Sequence, residues 1–120
     1  MTDTTLPTND TPAEIGDVTL VIFLLRLASE ELREQYETWV REVDAPGARA
    51  LPGIVSYRAV RVESTADGTA TVIPYDYLEL IEVSDLATYR ESLTTLPGSF
   101  FDDLRSFIGS SDSAIASIVA

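Results

Sequence analysis

The chain has 120 residues, with 20 acids against 8 bases and a net charge of −12. That length makes one domain, which buries roughly two thirds of the surface its unfolded form exposes. An acidic excess of this size leaves no phosphate-binding face, so neither nucleic acid nor an anionic membrane surface is an expected partner. Cysteine, histidine and lysine are all absent. Disulfides, thiolate chemistry, imidazole bases and Schiff bases are therefore excluded. Proton transfer must fall to Asp, Glu, Tyr, bound water or the substrate.

Residues 1–16 (MTDTTLPTNDTPAEIG) are rich in Thr, Asp and Pro without periodicity, and read as a disordered tail. The remainder, 17–120, reads as one domain. Its first strand is expected over about 17–27. Val18, Leu20, Ile22 and Leu24 alternate with Val21, Phe23, Leu25 and Leu27, so both faces of this strand are apolar. Ser29 then offers an N-cap, with Glu30 and Glu31 suiting the positive end of a helix. Leu32, Tyr36, Trp39, Val40 and Val43 recur at helical spacing. The helix is expected to end near Val43, where Asp44-Ala45-Pro46 breaks it and Pro46 opens a short second turn.

Leu51-Pro52-Gly53 is a turn. Ile54 to Glu63 reads as strand two, Ser64 to Thr71 as a loop, and about 72–83 as strand three, pairing with strand two as an antiparallel hairpin. Ser84 and Asp85 open a second helix carried by Leu86, Tyr89 and Leu93. Pro97-Gly98 interrupts it, and Ser99 to Ile108 continues as a further helix with Phe100 and Leu104 inward. Residues 113–119 read as a last short strand. Strand, helix, strand, strand, helix, strand is the split βαβ, ferredoxin-like α+β pattern, with strands one and three as central antiparallel neighbours. Helices then cover one face of the sheet. The second apolar face of strand one calls for a cover of its own, best supplied by a second copy of the chain in a homodimer. No apolar run reaches membrane-spanning length, and the N-terminus lacks the charge and apolar blocks of a signal peptide, so a cytoplasmic protein is expected.

Two groups of residues could carry chemistry. Arg41, Glu42 and Asp44 lie at the expected end of helix one. They are either a solvated cap or the mouth of a pocket between helix and sheet, where Arg41 would hold a carboxylate or carbonyl oxygen. Strand three supplies Tyr75, Asp76, Tyr77 and Glu79. The tyrosines share a face with Glu79, Ile81 and Val83, and Asp76 takes the other. An acid inside a central strand is costly unless paired. It is either held by an arginine, with Arg26 the nearest in an antiparallel arrangement, or it is a carboxyl whose pKa burial raises for acid–base work. Tyr36 and Trp39 are either core or a stacking wall for a planar ligand, and Tyr57 on strand two is a further candidate lining residue. There is no Gly-rich phosphate loop, metal-ligand spacing or Ser-His-Asp set, so neither a cofactor nor a metal is implied.

Trp39-Val40-Arg41-Glu42-Val43-Asp44-Ala45-Pro46, then Leu51-Pro52-Gly53-Ile54, then Pro74-Tyr75-Asp76-Tyr77-Leu78-Glu79-Leu80-Ile81-Glu82-Val83, resemble the REDY-like (HapK-type) family of the dimeric α/β-barrel superfamily. The resemblance covers about residues 17–119. It implies bacterial secondary metabolism beside prodiginine and bisindole pathways, among relatives that include small cyclases, cofactor-free oxygenases and decarboxylases. The expectation is a cofactor-independent tailoring enzyme. It would act on a small aromatic, indole- or pyrrole-derived intermediate by cyclisation, condensation or dehydration. Asp44, Asp76, Tyr77, Glu79 and Arg41 are the candidate catalytic groups. Arg26, Tyr36, Trp39, Glu42, Tyr57 and Tyr75 are the candidate binding groups. A non-catalytic carrier of an unstable intermediate and a cofactor-free monooxygenase are the alternatives, and a pathway enzyme is a further candidate partner.

Overall fold

The structure, a computed structural model, describes residues 19–69 and 72–120. The expected N-terminal tail, and residues 17 and 18 of the expected first strand, lie outside the described residues. Strand β1 (Thr19–Leu27) leads through Ser29, whose side chain accepts from the Glu31 amide, into a 3-10 turn, Glu30–Leu32. Helix α1 (Arg33–Trp39) follows, then a π turn over Val40–Asp44 and helix α2 (Ala45–Arg49). Strands β2 (Ile54–Arg61) and β3 (Tyr77–Val83) form the hairpin. Helices α3 (Leu86–Leu93) and α4 (Gly98–Phe107) and strand β4 (Ile108–Ser117) complete the chain. The sheet order is β2-β3-β1-β4, antiparallel throughout, with β1 and β3 central. This is the ferredoxin-like α+β fold.

The helix does not end at Val43. It runs on to Arg49, because the turn before Pro46 widens: the Ala45 amide bonds to the Val40 carbonyl, five residues back. Proline lacks an amide hydrogen and its ring crowds the carbonyl four residues earlier; a widened turn relieves that crowding without a break. The extra residue also turns the stripe. Val43, expected inward, is 43% exposed, and Asp44 is buried at 6%. Strand three begins at Tyr77, five residues later than about 72, although the Val62 amide still reaches the Asp76 carbonyl at 2.9 Å. The last strand begins at Ile108, not 113, since α4 passes into β4 without a loop.

Strand β2 carries a bulge. Ile54 lies across from Val83 and Ser56 across from Glu82, leaving Val55 as the extra residue. Ile54 and Tyr57 are three apart and would face opposite sides of a regular strand; the bulge turns both to the helices. Gly53, just before it, has φ +90, and a Cβ there would sit 3.1 Å from the Tyr89 amide nitrogen. The turn into β2 therefore needs glycine for both conformation and space. Two buried clusters fill the layer between sheet and helices. One is built around Val21, Tyr57, Ile81, Val83 and Tyr89, the other around Leu25, Tyr36, Trp39 and Tyr77. Phe23 and Ala59 pack against both.

Candidate functional site

Three side chains from three elements meet at the seam between these clusters. The π turn brings Asp44, the bulged β2 brings Tyr57 and the middle of β3 brings Glu79. The Tyr57 hydroxyl lies 2.7 Å from Asp44 Oδ2 and 3.0 Å from Glu79 Oε2. Ala59 is the residue across from Glu79 on β2. Its small side chain leaves room for Tyr57 to reach Glu79 diagonally, two positions along the ladder. All three residues are buried.

The proton count follows from the geometry. A phenol has one hydrogen and two carboxyl oxygens face it, so it donates to one of them at a time. The Tyr57 hydroxyl donates over the shorter contact, to Asp44, and Glu79, the carboxyl that holds a proton, gives it to Asp44. The electrostatics agree. Burial raises the Glu79 carboxyl first and the neighbouring Asp44 charge raises it further, to about 8. Burial raises Asp44 too, against the opposing effect of its bonds to Glu79 and Tyr57. Burial and the two acids hold the Tyr57 phenol far above its ordinary range.

This trio forms the polar end of a cavity of about 350 Å³ between sheet and helices, toward the lower end of the roughly 300–1,000 Å³ of small-molecule sites. Its walls are apolar, with Phe23, Ile81, Leu93, Phe100, Phe101 and Leu104 among them. Arg105, Ser110 and Ser111 also line it; the Arg105 side chain is 70% exposed and ion-paired to Asp102 at 2.7 Å. Among the described residues no group of three or more Asp, Glu, His or Cys side chains is placed to hold a metal ion.

The other candidate residues lie elsewhere. Glu79 meets Tyr57 and Asp44 rather than Arg26, which is exposed at the end of β1. Asp76 is held by Arg33 at 3.4 Å and accepts from the Leu27 amide at 2.8 Å. Tyr77 donates to Glu37 at 2.6 Å, and Arg61 grips both oxygens of Glu37 at 2.7 Å. These bonds hold Glu37 down at about 2, with the Arg61 bond the larger cause. Asp76 and Tyr77 thus latch α1 to the sheet and do not line the cavity. Arg41 points outward, 3.8 Å from Glu37, and Glu42 is exposed. Tyr75 donates to Asp112 at 2.6 Å.

Tyr36 and Trp39 belong to the second core cluster. Trp39 stacks near Phe100 and Phe107, at 5.2 and 5.7 Å between ring centres. Among the described residues, the buried Trp39 indole nitrogen meets no hydrogen-bond partner, and the buried Tyr36 hydroxyl lies beside Glu79 outside ordinary hydrogen-bond geometry. Tyr36 still feels the charges of Glu79 and Asp44, which add to burial in raising its phenol. Sequence reasoning did not single out Phe101. Its signal was the Phe100-Phe101 pair, two large aromatics of which a simple helical stripe places only one inward.

The described β1 to β4 region is also the part of the chain that resembles known proteins. Among solved structures, HapK from Hahella chejuensis is 21% identical with a TM-score of 0.64, over 80% of this chain and 90% of that one. SnoaB, a cofactor-independent oxygenase from Streptomyces nogalater, is 16% identical with a TM-score of 0.62, over 87% and 95%. A dimeric ferredoxin-like protein of unknown function from Thermobifida fusca is 15% identical with a TM-score of 0.61, over 84% and 91%. A comparison with curated protein sequences finds no match. A family model, REDY-like protein HapK, matches residues 19–115. That span takes in the π turn, the bulged strand and the strand of Glu79, and on it the chain belongs to the REDY-like HapK family.

Proposed function

We propose that the cavity binds an apolar, aromatic biosynthetic intermediate and that Asp44, Tyr57 and Glu79 move protons on it without a cofactor, promoting cyclisation, condensation or dehydration. The observation that carries this reading is the buried carboxyl pair, bridged by a phenol, at the polar end of an apolar cavity. Asp44 takes a proton from the ligand, and Glu79 gives its proton to the oxygen that leaves or becomes hydroxyl. Tyr57 passes its hydrogen on to Glu79 as it receives one from Asp44, which restores the starting state. Walls of Phe and Leu hold the ligand in place and keep water away, so that orientation supplies much of the effect. Membership in the HapK family supports an indole- or pyrrole-derived ligand from a bacterial pathway. The open face of the sheet supports a homodimer, in line with the dimeric Thermobifida fusca neighbour.

Trp39 gives the test its reporter, since it packs on Phe100 of the cavity wall. A panel of indole-, bisindole- and pyrrole-derived compounds would be titrated against Trp39 fluorescence. Compounds that quench saturably would then be assayed for conversion without added cofactor. Asp44→Asn and Glu79→Gln should keep binding and lower turnover by about 10²–10⁴-fold, the usual worth of a positioned acid or base. Full turnover in both variants overturns the reading; tight binding without turnover in the wild type leaves a carrier. The similarity to SnoaB in fold supports a second reading, a cofactor-free monooxygenase. Oxygen uptake that keeps step with conversion would mark it.

A further inference from the structure

The cavity has a polarity that restricts what can enter it. Asp44, Tyr57 and Glu79 hold two hydrogens among them, and both stay within the trio, the Tyr57 hydroxyl on Asp44 at 2.7 Å and the Glu79 proton on Asp44. What the trio offers a ligand is therefore lone pairs and one negative charge. The charged groups around it do not reverse this. Arg49 lies over the Tyr57 ring at 5.9 Å and donates to the Tyr57 carbonyl. Arg105, on α4, is exposed and paired to Asp102. Tyr36 from α1 turns its hydroxyl toward Glu79 and Tyr89 from α3 adds a phenol to the lining, and neither brings a positive charge. Among the described residues that line the cavity, no cation is buried.

We propose that this cavity takes a neutral or cationic aromatic molecule that enters with a hydrogen-bond donor foremost, and rejects aromatic carboxylates. The inference rests on reading the cavity as a ligand site, as above. A ligand O–H or N–H meets the free lone pairs of the acids and leaves no buried acceptor bare. A ligand carboxylate brings a second negative charge to a site already holding one, in surroundings that screen poorly. It could bind there only by taking up a proton.

Three naphthalenes of nearly equal size separate these cases: 2-naphthol with a donor, 2-methoxynaphthalene without one, and 2-naphthoate with a negative charge. Their affinities for the full chain would be measured by calorimetry at pH 7, in two buffers of different ionisation enthalpy. The expected result is 2-naphthol tighter than either of the others by about tenfold or more, the cost of leaving a buried acceptor unpaired. Any 2-naphthoate bound should carry a proton in with it, seen as a buffer-dependent heat, and 2-naphthol should not. In the double variant Asp44→Asn with Glu79→Gln, the disadvantage of 2-naphthoate should fall to within about threefold of 2-naphthol. Because the wild-type order is measured independently, the proposal does not depend on that variant's folding. Equal affinities, or 2-naphthoate binding tightest, overturn it. If none of the three binds, the cavity is no aromatic site, and this proposal falls together with the reading it rests on. If the order holds while Asp44→Asn and Glu79→Gln leave turnover untouched, the functional reading alone falls.

Discussion

Tyr57 faces two carboxyl oxygens with a single hydrogen, and that mismatch gives the protein a definite dependence on pH. Burial and the Asp44 charge push the Glu79 carboxyl up to about 8 in the folded chain, from an ordinary value of 4.5. Between those values the folded state holds a proton that the unfolded chain releases. The stability this contributes is complete below about 4.5 and is lost as pH rises to about 8. Glu79→Gln stays neutral throughout and cannot lose it. The variant should therefore match or fall slightly below the wild type in urea unfolding at pH 5, and exceed it at pH 9 by about 1–2 kcal/mol, the scale of one buried polar mismatch. A variant whose stability falls with pH as steeply as the wild type's would show that Glu79 is not the group responsible. Tyr57→Phe makes the complementary change. It removes the bridge while both acids remain, and should cost about 1–3 kcal/mol at pH 7, also read from urea midpoints.

At the level of elements, the site depends on two irregularities, and these mark the limit of what the sequence discloses. Strand order, the hydrophobic alternation of β1 and the capping residues Ser29 and Asp85 follow from spacing and local chemistry, and the structure agrees with them. The inward turn of Asp44 does not, because a stripe counted at 3.6 residues per turn places Val43 inside. Tyr57 and Ile54 escape a period of 2 for the same reason: one added residue shifts every later side chain. Glu79 was legible as a buried acid, but its partners were not, since Asp44 and Tyr57 come from other elements. A single deletion tests the π turn. Removing Val43, which is largely exposed, takes out the extra residue and lets the helix close at normal pitch with its flanking segments in register. Such a chain loses the room the wide turn gives Pro46, so it should be about 3 kcal/mol less stable than the wild type in urea unfolding. Asp44, displaced from Tyr57, should no longer contribute, so turnover should drop as in Asp44→Asn; Val43→Ala should leave turnover unchanged.

On the scale of the whole molecule, the described residues leave the sheet with one face filled by helices and one that is not. The cross-strand rows on the open side run Leu24, Leu78 and Val60, then Ile22, Leu80 and Ala114. Leu20, Ile22, Leu24, Leu78 and Leu80 are each only partly buried within one chain, although they sit on the two central strands, where an apolar side chain gains most from cover. Polar residues stand around them: Glu82 accepts from Ser56, Arg58 is exposed on the outer strand, and Asp112 lies on β4. An apolar centre with a polar surround suits an isologous contact in which each chain covers the other's leucines. Every such contact is made twice, so one substitution acts twice. Leu80→Glu removes burial worth about 1.5–3 kcal/mol per side chain and puts a charge in its place. Light scattering during gel filtration should then fall from twice the chain mass to 13.1 kDa, while 2-naphthol still binds, because the cavity lies on the helix side of the sheet, away from the open face. A wild type that already runs at the single-chain mass would refute the dimer and leave the cavity's chemistry standing.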